Sequence, residues 1–529
     1  MGIIASVALL FILLRFPGHP RDFTWERWAV WPLELPLLLM VLLLLPGRTA
    51  RIVRRVFVAL LGALLLLRVA DIGSRLAFGR SFDLLAEFHL MTQGWTLASQ
   101  TVGRVEALLA VVCALGVLIA VLWIMNVGLG RLQQLSMRSR LIGAAFTVVL
   151  FLTGVVVGDS KDMESRFAVA NEFSERGDRL QRRIADQIDF GRELAVDPVL
   201  DGQRSPPHFA ALADRDMVTL FVESYGRSWL DHERFSDQAA TSLAAFEEAL
   251  SSGGLHMRSA WVESPIRGGR SWLAHASYAS GLMLTSQARF DRLISSDRVP
   301  LYGLMANAGW TSVVALPVVS KPWIEGAWYK VDQFMNRDAF EYKGKGFGYV
   351  TMPDQFTLNA FDERVRQAET KPVSGMVGLL GSHAPWTPLA LPVPWESVGD
   401  GSIFDGSHRT GGPLPWSNPG PVRKMYSKSL EIVFARVGEY LVRYAEDDLF
   451  IVIGDHQPAS IIAGWAPNAH VPMHVISRDK GLLDRLPDSA FSEGAVPDAD
   501  APGLPMAELR TLFSTVFEMP LAAAAVLQP

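Results

Sequence analysis

The chain has a single cysteine, Cys113, in 529 residues. One cysteine excludes an intramolecular disulfide and any Cys-x-x-Cys metal cluster. Charge is also scarce: Asp, Glu, Lys and Arg make up 19% of the residues, against about 25% in an average soluble domain. There is no basic excess, since 49 Lys and Arg face 54 Asp and Glu and the formal net charge is −5. No nucleic-acid partner is therefore expected, because such a partner calls for a cationic face. Internal repeats and low-complexity tracts are absent too. What is abundant is apolar: half of the residues are hydrophobic and the mean hydropathy is +0.21. That balance excludes a disordered chain and argues against a wholly soluble one.

The apolar excess lies at the front. Ile3 to Leu14, Trp31 to Pro46, Val56 to Leu67, Ala107 to Met125 and Leu141 to Val157 are nearly uninterrupted apolar runs. A membrane-spanning helix needs about 20 such residues, and with their flanks the five runs predict five transmembrane helices. The first is read as retained, because it lacks the basic start and small-residue cleavage site of a signal peptide. Arg48, Arg51, Arg54 and Arg55 fill the second connecting loop, and Arg131, Arg138 and Arg140 the fourth, with no acid in either. The positive-inside rule places both loops in the cytoplasm. The N-terminus is then cytoplasmic, and everything after the fifth helix is extracytoplasmic.

The expected organisation is a transmembrane helical domain over 1–158, a juxtamembrane helical linker over 159–206, a catalytic domain over 207–480 and a C-terminal extension over 481–529. In the third piece, short runs rich in β-branched residues alternate with helical patterns. The runs are Met217–Val222, Thr311–Val319, Gly375–Leu380, Leu449–Ile453 and Val471–Ile476. Helical spacing covers Ala239–Ser251, Trp272–Met283, Leu301–Ala308 and Tyr426–Tyr444. Such alternation predicts an α/β/α domain with a mostly parallel central sheet. Ligands of such sheets bind beyond the carboxyl ends of the strands.

Polar residues stand where these strands are expected to end. Glu223 and Ser224 follow the first run, Gly381-Ser382-His383 the third, and Gly454-Asp455-His456 the fourth. Gly268-Gly269-Arg270-Ser271 opens a helical stretch. Each feature taken singly is ordinary: a Ser after Gly-Gly-Arg reads as an N-cap. Together, one carboxylate, an Asp-His pair and a hydroxyl at a helix start can hold a divalent cation, and such ligands suit zinc or manganese. A hydroxyl beside such a cation is an activated nucleophile, and a helix N-terminus favours an incoming phosphate. His275 lies one helical turn after Ser271 and is within reach of the same place.

The succession Val222-Glu223-Ser224, Gly269-Arg270-Ser271, Ser382-His383-Ala384-Pro385 and Gly454-Asp455-His456-Gln457-Pro458 resembles the sulfatase-like branch of the alkaline phosphatase superfamily. Five helices followed by an outward domain resemble, within it, the membrane lipoteichoic acid synthases and the phosphoglycerol or phosphoethanolamine transferases. The resemblance implies that Glu223, Ser271, Asp455 and His456 bind one catalytic metal, manganese or zinc, and that Ser271 is the nucleophile. It implies that His383 touches the substrate phosphate or protonates the leaving group. It sets His470 near a possible second metal, and Trp323 and Lys321 near the substrate. Two departures matter. Ser271 is followed by Trp272-Leu273-Ala274-His275, not by the x-Pro-x-Arg that a formylglycine sulfatase requires. Glu325 stands where the glycerol-phosphate enzymes carry an arginine after the tryptophan.

Three functions remain open from the sequence. The first is a transferase moving a phospho-alcohol headgroup from a membrane phospholipid to an envelope glycan or lipid acceptor, in a bacterial plasma membrane. The second is a membrane-tethered phosphatase or phosphodiesterase using the same residues. The third is a non-catalytic envelope protein.

Overall fold

The structure, a computed structural model, describes residues 2–78, 81–82, 95, 99, 103–157, 166–201, 209–320, 323–406, 409–410, 414, 418–464 and 468–518. Lys321 and two of the expected domain boundaries lie outside the described residues. The chain divides into two compact units, Met1–Leu76 with Arg80–Ile188, and Ala77–Gly79 with Asp189–Pro529.

The first unit is helical. Among the described residues, four helical stretches are long and apolar enough to cross a membrane: Trp25–Leu44, Gly47–Leu76, Arg104–Gln134 and Met137–Val156. The five expected spans are thus corrected to four. Ile3–Arg15 is an apolar helix of 13 residues, about 20 Å long at 1.5 Å per residue and short of a hydrocarbon core of about 30 Å. Pro32 breaks the next stretch into Trp25–Ala29 and Glu34–Leu44, since proline has no N–H to give to the helical ladder. The helix Ala168–Leu194 follows. Phe173, Leu180, Ile184 and Ile188 recur along it at helical spacing and all are exposed.

The second unit is built on one mostly parallel sheet. Its strands are β1 (Met217–Val222), β2 (His256–Glu263), β3 (Thr311–Ala315), β4 (Gln333–Met335), β5 (Val373–Leu379), β8 (Leu449–Gly454), β9 (His470–Ser477), β10 (Ser492–Glu493) and β11 (Leu504–Pro505); β6 (Leu389–Ala390) and β7 (Arg409–Thr410) form a small separate pair. The order is β10-β2-β9-β8-β1-β5-β3-β4, and β11 pairs with β2. β4, β3, β5, β1 and β8 run parallel. β9 is antiparallel to both β8 and β2, so β2 again points with β1.

Period two explains the core. Met217 and Phe221 of β1 enter one apolar cluster with Leu273, Leu301 and Leu509. Val218, Leu220 and Val222 enter the other with Leu243, Phe356 and Leu430. Side chains of a strand alternate between faces, and a strand covered on both faces reads as one unbroken apolar run. Helices Ser271–Ser280, Leu301–Asn307 and Glu508–Val516 cover the first face. Helices Ser236–Ser252, Asp354–Phe361 and Pro419–Tyr444 cover the second.

β2 has no counterpart among the expected strands. Its sequence, His-Met-Arg-Ser-Ala-Trp-Val-Glu, hides the strand behind polar residues, two of which find partners inside the fold. The Arg258 guanidinium donates to the carbonyls of Leu483, Leu486 and Phe491. The Ser259 hydroxyl lies 2.7 Å from His474 Nδ1.

Candidate metal and phosphoryl-transfer site

Parallel register brings three strand ends level. Val222 of β1 lies opposite Leu379 of β5 and Gly454 of β8, so Glu223, the Gly381-Ser382-His383 loop and Asp455-His456 leave the sheet side by side. Ser271 arrives from the same edge, at the start of the helix after β2. Four residues chosen from sequence, Glu223, Ser271, Asp455 and His456, meet in one place. Ser271 Oγ donates to Glu223 Oε2 at 3.0 Å and lies 3.2 Å from His456 Nε2. His456 Nε2 is 3.3 Å from Glu223 Oε1 and 3.6 Å from Asp455 Oδ2.

The backbone around the cluster is built to hold it. Ser224 has φ 57°, a left-handed conformation that costs a non-glycine residue about 1–2 kcal/mol. It turns the Ser224 N–H onto Asp455 Oδ1 at 2.8 Å. The N–H of His456 donates to the same oxygen at 2.7 Å, and Ser224 Oγ donates to Glu223 Oε1 at 3.0 Å. Ser382 Oγ donates to the Glu223 carbonyl at 2.5 Å, tying the β5 loop to β1. Gly454 is required by close approach: a Cβ there would lie 1.9 Å from the Tyr225 carbonyl oxygen. That contact is the physical content of glycine in Gly454-Asp455-His456.

The electrostatics call for positive charge. Glu223 and Asp455 are both buried. Burial drives the Asp455 carboxyl up, and the neighbouring Glu223 carboxylate adds to it, to about 7. Burial would raise Glu223 as well, but the His383 and His456 imidazoles outweigh it and hold this carboxyl below the usual range. Burial lowers the His456 imidazole, yet Asp455 and Glu223 carry it up to about 9. His456 Nδ1 is 2.8 Å from the Gln457 carbonyl and donates to it, which leaves Nε2 turned to the carboxylates. A pair of buried carboxylates that recruits a proton is a pair that a cation can satisfy instead. One ligand atom from each of Glu223, Asp455 and His456 lies within 4.8 Å of the others, the one such group among the described residues. The donor set therefore fits a divalent cation.

The remaining candidates fall at different distances from this centre. His383 stacks face to face on Tyr349, with ring centroids 3.9 Å apart and planes at 12°. His275 is buried against Phe221, centroids 4.3 Å apart, and burial brings its imidazole down to about 4, so it is neutral. His470 opens β9 opposite Glu263. Its described contacts are with Gly503, Gln457 and Arg227 rather than with the four clustered residues. Trp323 packs on Tyr329 and Phe334 at centroid distances of 5.0 and 4.8 Å.

Sequence reasoning passed over Tyr349 and Asp354. Burial raises the Tyr349 phenol to about 12, and the Glu223 charge adds to the shift, so this phenol belongs to the same electrostatic environment. Buried Asp354 accepts the N–H of Leu380 at 2.7 Å and that of Gly381 at 3.0 Å. A Cβ on Gly381 would meet Asp354 Oδ2 at 2.5 Å. Neither residue carries a motif; the one available sign was Gly381 itself, a glycine at a strand end where a carboxylate presses on the backbone. Arg270, one residue before Ser271, has φ 61° after Gly269 at φ 58°. Burial lowers its guanidinium to about 10, which leaves it charged at neutral pH.

No family model matches the chain and no curated protein matches it. Solved structures do. Lipooligosaccharide phosphoethanolamine transferase A (EptA), an integral membrane protein from Neisseria meningitidis, is 13% identical with a TM-score of 0.49, over 98% of this chain and 99% of that one. The lipoteichoic acid synthase LtaP from Listeria monocytogenes is 10% identical with a TM-score of 0.38, over 60% of this chain and 78% of that one. The phosphoglycerol transferase GacH from Streptococcus pyogenes is 11% identical with a TM-score of 0.37, over 64% and 92%. At such identities the likeness concerns the course of the backbone and assigns no residue a role.

Proposed function

We propose that this protein is a metal-dependent transferase. It moves a phospho-alcohol headgroup, of the phosphoglycerol or phosphoethanolamine type, from a membrane phospholipid to an envelope glycan or lipid acceptor through a covalent Ser271 intermediate. The observation that carries the reading is the Ser271 hydroxyl, bonded to Glu223 Oε2 at 3.0 Å and 3.2 Å from His456 Nε2, at the start of a helix and inside a cation-demanding cluster. A divalent cation, manganese or zinc, held by Glu223, Asp455, His456 and Ser271, would supply Lewis-acid activation of the hydroxyl and neutralise phosphoryl charge.

The chain's own residues account for the rest. Ser271 Oγ attacks phosphorus as the P–O bond to diacylglycerol breaks, and the hydroxyl proton passes to the Glu223 carboxylate beside it. His383 returns a proton to the departing alkoxide. In the second half the acceptor hydroxyl attacks the phosphoserine ester and loses its proton to His383, and Ser271 leaves, taking back its proton from Glu223. The helix N-terminus at Ser271 offers N–H groups to the phosphoryl oxygens in both halves. A lipid donor suits a chain that also carries four helices fit to cross a membrane. In this reading the membrane is a bacterial plasma membrane, the basic loops at Arg48–Arg55 and Arg131–Arg140 are cytoplasmic, and the second unit, one span beyond the latter, is extracytoplasmic. Trp323 and Lys321 would grip the headgroup, His275 would back the nucleophile's helix, and a second cation would sit by His470.

The test is the mass of the Ser271 peptide after metal-loaded, full-length protein meets bacterial phospholipids. A phosphoglycerol or phosphoethanolamine adduct supports the reading and names the headgroup. Lipid consumption without an adduct replaces it by the phosphodiesterase reading. Metal analysis of the same preparation counts one ion or two and tells manganese from zinc. Glu223→Gln and Asp455→Asn should each lose most of that metal; normal content in both would remove the ligand assignment.

A further inference from the structure

Ser224 bonds to both carboxylates of the cluster. Its N–H donates to Asp455 Oδ1 at 2.8 Å and its hydroxyl to Glu223 Oε1 at 3.0 Å. It does so from a left-handed backbone, φ 57°. Strain of that kind in a residue other than glycine persists only where the surroundings enforce it. The enforcing contact comes from 202 residues further along the chain. Tyr426, in the helix Pro419–Tyr444, is fully buried and donates its hydroxyl to the Ser224 carbonyl at 3.0 Å. Burial, with the Asp455 charge adding to it, pushes this phenol up, so it stays a donor.

The end of β5 repeats the construction. The Ser382 hydroxyl donates to the Glu223 carbonyl at 2.5 Å. The Ser382 carbonyl in turn accepts the indole N–H of buried Trp386 at 2.7 Å. Trp386 is left-handed as well, at φ 61°. The Trp386 and Tyr426 rings meet edge to face, with centroids 5.7 Å apart and planes at 75°. Glu223 therefore lies between two serines, and each serine is held by one of two touching aromatic rings. Two neighbours in the same core spend their polar groups differently. Trp229 gives its N–H to Ser427 Oγ, and the Tyr225 hydroxyl pairs with His474 Nε2. A buried O–H or N–H needs a partner, and there a side chain supplies it. Tyr426 and Trp386 instead place theirs on backbone carbonyls at the two strand ends that carry the site.

We propose that Tyr426 and Trp386 are positioning residues that set the affinity of the site for its divalent cation. They act through Ser224 and Ser382, which fix the Glu223 and Asp455 carboxylates at ligand spacing. This rests on the metal-dependent reading above, and it concerns residues that stand one contact behind the ligands. The fold then brings the two buried carboxylates together before a cation arrives, and holds them with groups whose own rotamers are locked by packing.

The test is the metal affinity of the full-length protein, measured by competition with a chelator, for zinc and for manganese. Tyr426→Phe removes one oxygen and keeps the ring. It should weaken binding about threefold to tenfold, the worth of one net hydrogen bond. Trp386→Phe should weaken it by a similar factor. Trp229→Phe is the comparison: it loses a buried hydrogen bond in the same core and should leave affinity within about twofold of wild type. Affinity of Tyr426→Phe within about twofold of wild type overturns the proposal. So does an equal loss in Trp229→Phe, which would mean a general loosening of the core. If Trp386→Phe does not fold, Tyr426→Phe decides alone. Wild-type protein that binds metal yet forms no Ser271 adduct removes the transferase reading and leaves both aromatic residues in this role. Wild-type protein that binds neither metal overturns the metal reading and this inference together; normal wild-type binding with an unchanged Tyr426→Phe overturns this inference alone.

Discussion

The helix Arg104–Gly130 turns Leu108, Val111, Val117, Ile119 and Trp123 outward, and buries only Ala107, Met125, Gly128 and Leu129 of its 27 residues. The helix Ser271–Ser280 buries eight of its ten residues. The first helix turns its apolar bulk outward, while on another helix of the same unit Arg68 is buried and donates to Glu172 and to the Leu14 carbonyl. The second follows the rule of water, apolar inward. Surrounding solvent, not helix propensity, decides which face of a helix holds the information. In the first unit, composition is nearly all that matters along the outer faces. In the second, single atoms matter.

The comparison can be broken at several places. Ser271→Ala should lower headgroup turnover by about a thousandfold or more, because a nucleophile's loss removes the covalent route; a loss below tenfold in a steady-state assay would dissolve the claim that single atoms govern this unit. Leu273, fully buried beside Ser271, and Val117, 64% exposed, test the solvent argument directly. Leu273→Ala should cost about 2–5 kcal/mol, and Val117→Ala less than about 0.5 kcal/mol, both measured by thermal unfolding in the same detergent. Equal costs would mean that the outward face of Arg104–Gly130 is packed rather than bathed.

Two smaller effects sharpen the contrast within the second unit. Tyr349 holds the His383 ring by stacking, so Tyr349→Ala should reduce kcat about tenfold, while Tyr349→Phe keeps the ring and most of the rate. Rescue by phenylalanine marks positioning; equal loss in both would assign the phenol a direct contact. Asp354 has the smallest and most pH-dependent effect. Burial raises its carboxyl to about 7, above the ordinary value near 4. The folded protein therefore binds that proton more tightly than the unfolded chain. Its contribution is fully present below about pH 4 and is lost as pH rises towards about 7. Asp354→Asn should flatten the fall in melting temperature over that window; an unchanged slope would count against it.

The architecture and the centre of the site were legible in the sequence for one reason. Parallel strands buried on both faces are unbroken apolar runs, and the residues that end them mark the edge where the candidate site lies. Glu223, Asp455, His456 and Ser271 were found that way. β2 was not, because Arg258 and Ser259 interrupt its run and find partners only after the chain from Leu483 to Gly494 has folded over them. Tyr349 and Asp354 were not, because stacking on His383 and pressing on Gly381 are contacts made across distant segments. The short Ile3–Arg15 helix was counted as a span since apolar composition alone does not measure length.

The strand that leads to Ser271 is finished by segments more than two hundred residues further along the sequence. β10 and β11 both pair with β2, and Phe513 of the helix Glu508–Val516 meets Tyr278 of the helix that Ser271 opens, with ring centroids 6.3 Å apart. The order of synthesis then imposes an order of competence. Glu223 and Ser271 leave the ribosome more than two hundred residues before these closing pieces. Until they are made, the edge that bears Ser271 is unfinished.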